Sequence, residues 1–277
     1  MNQKLQEDNL QDANPSDTKK KKVSNLETGH AKNVANFEDE ISLCKSFDTL
    51  YDPSNPLLAL TNLNATYTAA VAGIKGVDTL LPLWINAVNE RDIVFDPFSK
   101  LITKVNNSFA SSGASKQAIA DVRTIARKLQ GRRAKAIPDA SDISKNPAKT
   151  TEDIHKYISI SQTSMDKRIE NFFLFIQLLI SQPVYAPKEK ELQTATLTTL
   201  HSTMISKNTA VIDAYALLFN ARIKRDKVLY HPETGLIRIA GDVKKYVKSV
   251  FGASSAQYKK IAHIRFKGGA DLANKVK

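Results

Sequence analysis

Apolar residues recur at three- and four-residue steps along most of this chain, the spacing of helices that bury one face. The spacing predicts a helix over about residues 35–49, with Ile41, Cys44 and Phe47 on its apolar side, and another over about 163–181. In the second, Ser164 can cap the first turn, and Ile169, Phe172, Phe173, Ile176, Leu179 and Ile180 form the apolar side. A long helix follows each. Leu60, Leu63, Tyr67, Val71, Ile74, Val77, Leu81, Ile85 and Val88 carry the first to about residue 92, and Leu192, Leu197, Leu200, Met204, Val211, Tyr215, Leu218 and Ala221 carry the second to about 226. Some 35 residues at 1.5 Å each span about 52 Å, a length that suits a helical bundle. Pro82 lies inside the first long helix and predicts a kink there. A third helix is expected from near Pro97 (Leu101, Val105, Phe109) and from near Asp242 (Val243, Val247, Phe251). Small residues interrupt each at 110–115 and 252–256, where Ser115 and Ser254 or Ser255 can cap a final short helix.

The two series are related. Residues 51–94 align without a gap on 185–228 at an offset of 134, with identities at Tyr51/Tyr185, Pro53/Pro187, Leu58/Leu192, Leu63/Leu197, Leu83/Leu217, Asn86/Asn220, Ala87/Ala221, Arg91/Arg225, Asp92/Asp226 and Val94/Val228. With eight further residues in the second copy, the match resumes at an offset of 142, pairing Val105/Val247, Phe109/Phe251, Ser112/Ser254, Ala114/Ala256, Ala120/Ala262 and Arg123/Arg265. Ordered self-similarity of this kind is the mark of an internal repeat. Tyr51-Asp-Pro and Tyr185-Ala-Pro supply matching breaks before the long helices.

The extra residues fall where Val228, Tyr230, Leu236 and Ile237 flank Pro-Glu-Thr-Gly, the composition of a small hairpin over 228–239 with Gly235 in the left-handed position. The expected fold is therefore all-α: a tandem-duplicated bundle with two long helices, approximate internal twofold symmetry and a β-hairpin inserted in the second repeat. Its expected parts are a disordered tail at 1–33, helical repeat 1 at 34–130, a linker at 131–160, helical repeat 2 at 161–267 and a flexible tail at 268–277.

Charge narrows the choice of partners. Of a net +12, residues 221–277 carry +10, whereas 36–50 carry −3. Such a concentration attracts polyanions. The candidate contacts are Lys244, Lys245, Lys248, Arg238, Lys259, Lys260 and Arg265, with Tyr246 and Tyr258 available to stack on bases. No apolar run reaches the roughly 18–20 residues that span a bilayer, and Phe172–Ile180 comes nearest. The first residues lack the apolar core of a signal peptide, so the expectation is a cytoplasmic protein without membrane insertion. A single cysteine, Cys44, permits no internal disulfide and sits on an apolar stripe, as a buried structural thiol does.

Motifs for catalysis are missing from the sequence. The histidines at 30, 155, 201, 231 and 263 have no metal-ligand spacing, and no glycine-rich phosphate loop occurs. No catalytic residue, metal or cofactor is expected. Asn86, Arg91 and Asp92, repeated as Asn220, Arg225 and Asp226, close the two long helices and read as a structural latch, through arginine forks and asparagine bonds across the bundle. The expected role is that of a noncatalytic interaction or scaffold protein that binds another protein or itself. One alternative is nucleic-acid or other polyanion binding through the basic C-terminal surface; another is a small-ligand or enzyme site assembled between the repeats.

Overall fold

The computed structural model describes residues 25–131 and 164–268. Among them every regular element is helical: α1 (Asn25–Ser46), α2 (Leu60–Phe95), α3 (Phe98–Ala110), α4 (Lys116–Leu129), α5 (Met165–Ile180), α6 (Thr194–Tyr230), α7 (Leu236–Phe251) and α8 (Ala256–Ala262). Single 3-10 turns at Pro56–Leu58 and Lys190–Leu192 lead into the two long helices. Most of the expected linker and parts of both expected tails lie outside the described residues. Ser115, Ser164 and Ser255 cap α4, α5 and α8, their side chains accepting from the backbone N–H of Ala118, Lys167 and Tyr258. Each cap satisfies a donor that the first turn leaves unpaired.

Two boundaries differ from expectation. α1 begins at Asn25, well before residue 35, because its buried stripe opens on polar residues, His30 and Asn33, ahead of Val34, Phe37, Ile41 and Cys44. As expected, α2 continues through the exposed Pro82 as one helix. The hairpin expected over 228–239 is instead helix, turn and helix: α6 continues to Tyr230, and α7 starts at Leu236, six residues before Asp242. Leu229, Leu236, Ile239, Ala240 and Val243 are all buried, and from Leu236 onward their spacing is that of a helix face. The short apolar runs that suggested strands are the ends of two helices. Gly235 is needed for space and not for a left-handed conformation. Its φ is −73°, and a Cβ there would stand 2.4 Å from the His231 nitrogen.

The chain divides into two compact units, one comprising residues up to Val71 and from Asp226 onward, the other Ala72–Arg225. In the first, α1 and the Pro56–Leu58 turn pack on α7, which also carries α8. Phe37, Ile41, Cys44, Val243, Val247 and Ile261 are among its buried side chains, and Phe47 meets Phe251 with ring centroids 5.0 Å apart. In the second unit, α4 packs on both α3 and α5, and the Lys190–Leu192 turn packs on α3. Phe98, Ile102, Phe109, Leu129, Phe172, Phe175, Leu197 and Met204 lie in its core.

Also within the second unit, α2 and α6 run antiparallel. A Cβ on Gly73 would stand 3.2 Å from the Arg225 Cα, Trp84 and Tyr215 have ring centroids 6.2 Å apart, and Lys207 pairs with Glu90 at 2.7 Å. The inward positions fall seven residues apart: Val77, Trp84 and Arg91 on α2; Leu197, Met204, Val211, Leu218 and Arg225 on α6. A seven-residue repeat is the narrow seam of a coiled coil, so each helix buries a thin stripe and leaves broad flanks outside.

Candidate functional site

Those flanks carry exposed apolar side chains, Leu83 and Leu217 on one side and a larger set on the other. At 100° per residue, positions one and four after a seam residue share a flank, and in an antiparallel pair the corresponding flanks of both helices face the same way. Leu81, Ile85 and Val88 of α2 thereby join Ile205, Ile212, Tyr215 and Phe219 of α6. Ile85 is 43% exposed, Ile212 57% and Phe219 50%, so large apolar side chains stand in solvent along the middle of the pair. Tyr215 and Phe219 stack with centroids 6.2 Å apart, giving the face a continuous aromatic step. Asp78 and Arg222 occupy the same flank beyond the apolar centre, and the buried Asn208 interrupts it between Ile205 and Ile212. Leu60–Ala110 also contains the one window among the described residues that is long and apolar enough, by length and composition, to cross a bilayer, and only 11% of it is buried. The sequence search for uninterrupted apolar runs missed this surface because polar residues break it at every turn.

In the first unit, the predicted polyanion contacts separate into groups. Arg238 and Lys245 both pair with Asp242, at 2.9 and 2.8 Å, and with it line a depression of about 400 Å³. The Lys245 hydrogen bond leads the interactions that hold the Asp242 carboxyl below its usual range. Lys244 is half-buried: its ammonium donates to the Ile264 carbonyl and lies 5.0 Å from the Phe266 ring centre. Lys248 lies over the Tyr258 ring, at 5.7 Å. Lys259 is exposed, whereas Lys260 and Arg265 line a second depression of about 870 Å³ between α1 and α8, with Lys32, His263 and Asp39. Both tyrosines proposed to stack on bases are half-buried; Tyr246 meets Tyr51 edge-on at 5.3 Å, and its hydroxyl accepts from the Asp52 N–H.

The duplicated polar residues do not converge. Arg225 is 4% exposed and seats against Gly73, whereas Arg91 lies 18 residues further along α2, about 27 Å at 1.5 Å per residue. Arg91 pairs with its neighbour Asp92 at 3.6 Å, and both Asn86 and Asn220 are exposed. Asp92 and Asp96 line a shallow depression beside Arg168, whose guanidinium stacks over Phe95 and Phe98 at 5.1 and 5.2 Å.

Sequence reasoning missed a buried group in the first unit. Glu40 of α1 is fully buried, and neither carboxylate oxygen has a hydrogen-bond partner. Burial pushes its carboxyl up to about 8, against a partial opposing pull from Lys244. Burial, reinforced by Glu40, also pushes the neighbouring Cys44 thiol up to about 12, which leaves it protonated and a poor nucleophile at neutral pH. Among the described residues no group of three or more His, Cys, Asp or Glu side chains could hold a metal ion. Compared with protein-family models, curated proteins and solved structures, the chain matches none of them.

Proposed function

We propose that this chain is a noncatalytic helical interaction protein that associates with a second copy of itself through the apolar α2–α6 face. The observation that carries the reading is the exposed band of Ile85, Ile205, Ile212, Tyr215 and Phe219 along the paired helices. Exposed contiguous apolar surface of this kind is a mark of an interaction site. Two such helix pairs packed face to face make a four-helix bundle, the ordinary way to bury helices that are apolar beyond a narrow seam. Light scattering in solution tests it: the expected mass is twice 30.6 kDa. Ile85→Glu with Phe219→Glu should return the monomer at unchanged helicity. A wild-type monomer, or a dimer indifferent to both charges, sinks the reading. Retention on lipid vesicles by a monomer would redirect the face to a membrane.

Internal duplication supports a self-complementary face. Tyr51 donates to the Leu58 carbonyl and Tyr185 to the Leu192 carbonyl, each at 2.8 Å, at the offset of 134. Val77/Val211 is a further identical pair at that offset, buried in both copies, and Leu83/Leu217 is exposed in both. Burial supports an offset of 138 for the third helices in place of 142: Phe98/Leu236, Ile102/Ala240, Val105/Val243 and Phe109/Val247 are buried in every case. The second copy then has four extra residues, those of the turn before α7. On this reading the copies exchange parts, since α1 of the first lies with α7 and α8 of the second in one unit. Approximate twofold symmetry relates Leu81 to Tyr215 and Ile85 to Phe219 on the interaction face.

A second reading, polyanion binding, draws support from Lys32, Lys260, His263 and Arg265 around the α1–α8 depression. It expects retention of mixed-sequence nucleic acid at low salt, weakening steeply as salt rises. Failure to bind at about 50 mM salt removes it.

A further inference from the structure

The end of the described chain is held in a way that resembles a bound peptide. Beyond α8, residues 264–267 are irregular, and their side chains alternate: Ile264 and Phe266 are half-buried, while Arg265 and Lys267 are exposed. That is the period-two alternation of extended chain. Side chains of other helices take its main-chain groups one after another. The Lys244 ammonium donates to the Ile264 carbonyl, and the Asn36 amide donates to the Arg265 carbonyl at 2.6 Å. Asn33 makes a two-way clamp on Lys267, donating to its carbonyl at 3.0 Å and accepting from its N–H at 2.9 Å. Asn33 is 1% exposed, so this clamp is shielded from water, and its amide nitrogen also donates to the Tyr230 hydroxyl at 3.4 Å. The Phe266 ring lies under Lys244, fixing the side chain that points inward.

We infer that Asn33, Asn36 and Lys244 form a reader of extended peptide, filled in this molecule by its own residues 264–267, and that this segment is a displaceable strap. The contacts are to main-chain carbonyls and an N–H, so they accept any extended segment; the inward pair selects Ile-x-Phe-like apolar residues at alternate positions. Arg265 and Lys267 point outward and leave those positions unrestricted. Beside the strap the open α1–α8 depression, lined by Asn36, Leu43 and Ile264, leaves room for a peptide longer than the four-residue strap. The partner class is an extended peptide in trans, in competition with a cis segment whose tethering gives it an effective concentration on the order of millimolar. The inference is independent of the long-helix face.

Two measurements on the full chain test it. Ile264→Ser with Phe266→Ser removes the strap's anchors and leaves the reader intact. A fluorescent His-Ile-Arg-Phe-Lys-Gly peptide should bind this variant saturably and at least tenfold more tightly than the unaltered chain. Adding Asn33→Leu should abolish the binding, and a peptide with serine in place of Ile and Phe should not bind. Hydrogen exchange of the unaltered chain gives the second reading: the Lys267 amide should exchange slowly, and millimolar peptide should accelerate it several-fold as the strap is displaced. Absence of saturable binding to a variant with intact helical circular dichroism overturns the proposal. So does Lys267 exchange that is unmoved by the peptide, and this measurement decides if the variant fails to fold.

Discussion

Burial of Glu40 without a hydrogen-bond partner makes its proton part of the folded state. The carboxyl rises from an ordinary 4.5 to about 8, so it is neutral in both states below pH 4.5, whereas between these values the unfolded chain ionises and the folded chain keeps its proton. Stability contributed by this group is therefore full at low pH and is lost as pH rises through about 8. The facing groups do not reverse the sign: Cys44 and Tyr51 are pushed upward and stay protonated across this window, and Lys244 offsets only part of the burial cost. At about 1.4 kcal/mol per pH unit the loss is at most on the order of 4–5 kcal/mol. Glu40→Gln should remove it, so the stability advantage of the variant in urea melts should grow between about pH 5 and pH 8.5. A gap of constant size refutes the assignment. Tyr51 and Tyr185 allow a paired test. Each hydroxyl donates to a carbonyl seven residues on at 2.8 Å, and Tyr→Phe at either should cost about 1–3 kcal/mol, by equal amounts within error. Clearly unequal costs argue against equivalent roles.

At the level of elements, two glycines separate space from propensity. Gly241 lies within α7 and a Cβ there meets nothing within 4 Å, so Gly241→Ala should stabilise by about 0.5–1 kcal/mol through helix propensity. Gly235→Ala would drive a Cβ onto the His231 backbone and should cost more than about 2 kcal/mol; thermal melts of the two variants should move in opposite directions. The sequence's apolar spacing located six of the eight described helices, and the capping serines located the short α4 and α8. It failed where the burial signal is polar or too short. His30 and Asn33 are buried on α1, yet fall in the expected tail, and the buried Glu40 is not singled out; Val228 to Ile239 read as strands because neither helix end is long enough to show its period. The candidate face was hidden for a different reason. Its members were visible as helix residues, but no rule of composition tells which flank a seven-residue seam leaves uncovered until the antiparallel partner is known.

For the whole molecule, the division into units dictates how the chain holds together. The first unit needs residues from both ends of the chain, with α1 packed on α7; in the second, α4 packs on α5 across the segment between Gly131 and Ser164. Neither the first half nor the second half contains a complete core. Phe37, Ile41 and Cys44 lose Val243 and Val247 of their unit when the halves part, and Val122, Ile125 and Leu129 lose Phe172, Phe175 and Ile176 of theirs. Losing a buried side chain's surroundings costs about 1.5–3 kcal/mol each, so a few such losses exceed the 5–15 kcal/mol that stabilises a typical domain. A chain cut at an engineered protease site between Gly131 and Ser164 should therefore remain one particle on size exclusion and keep its helical circular dichroism. The two fragments expressed apart should each lose most of their helicity, and mixing them should restore it at one-to-one stoichiometry. Fragments that separate under native conditions with helices intact would show that each half folds from its own residues, and the exchange of parts between the copies would then have to be given up.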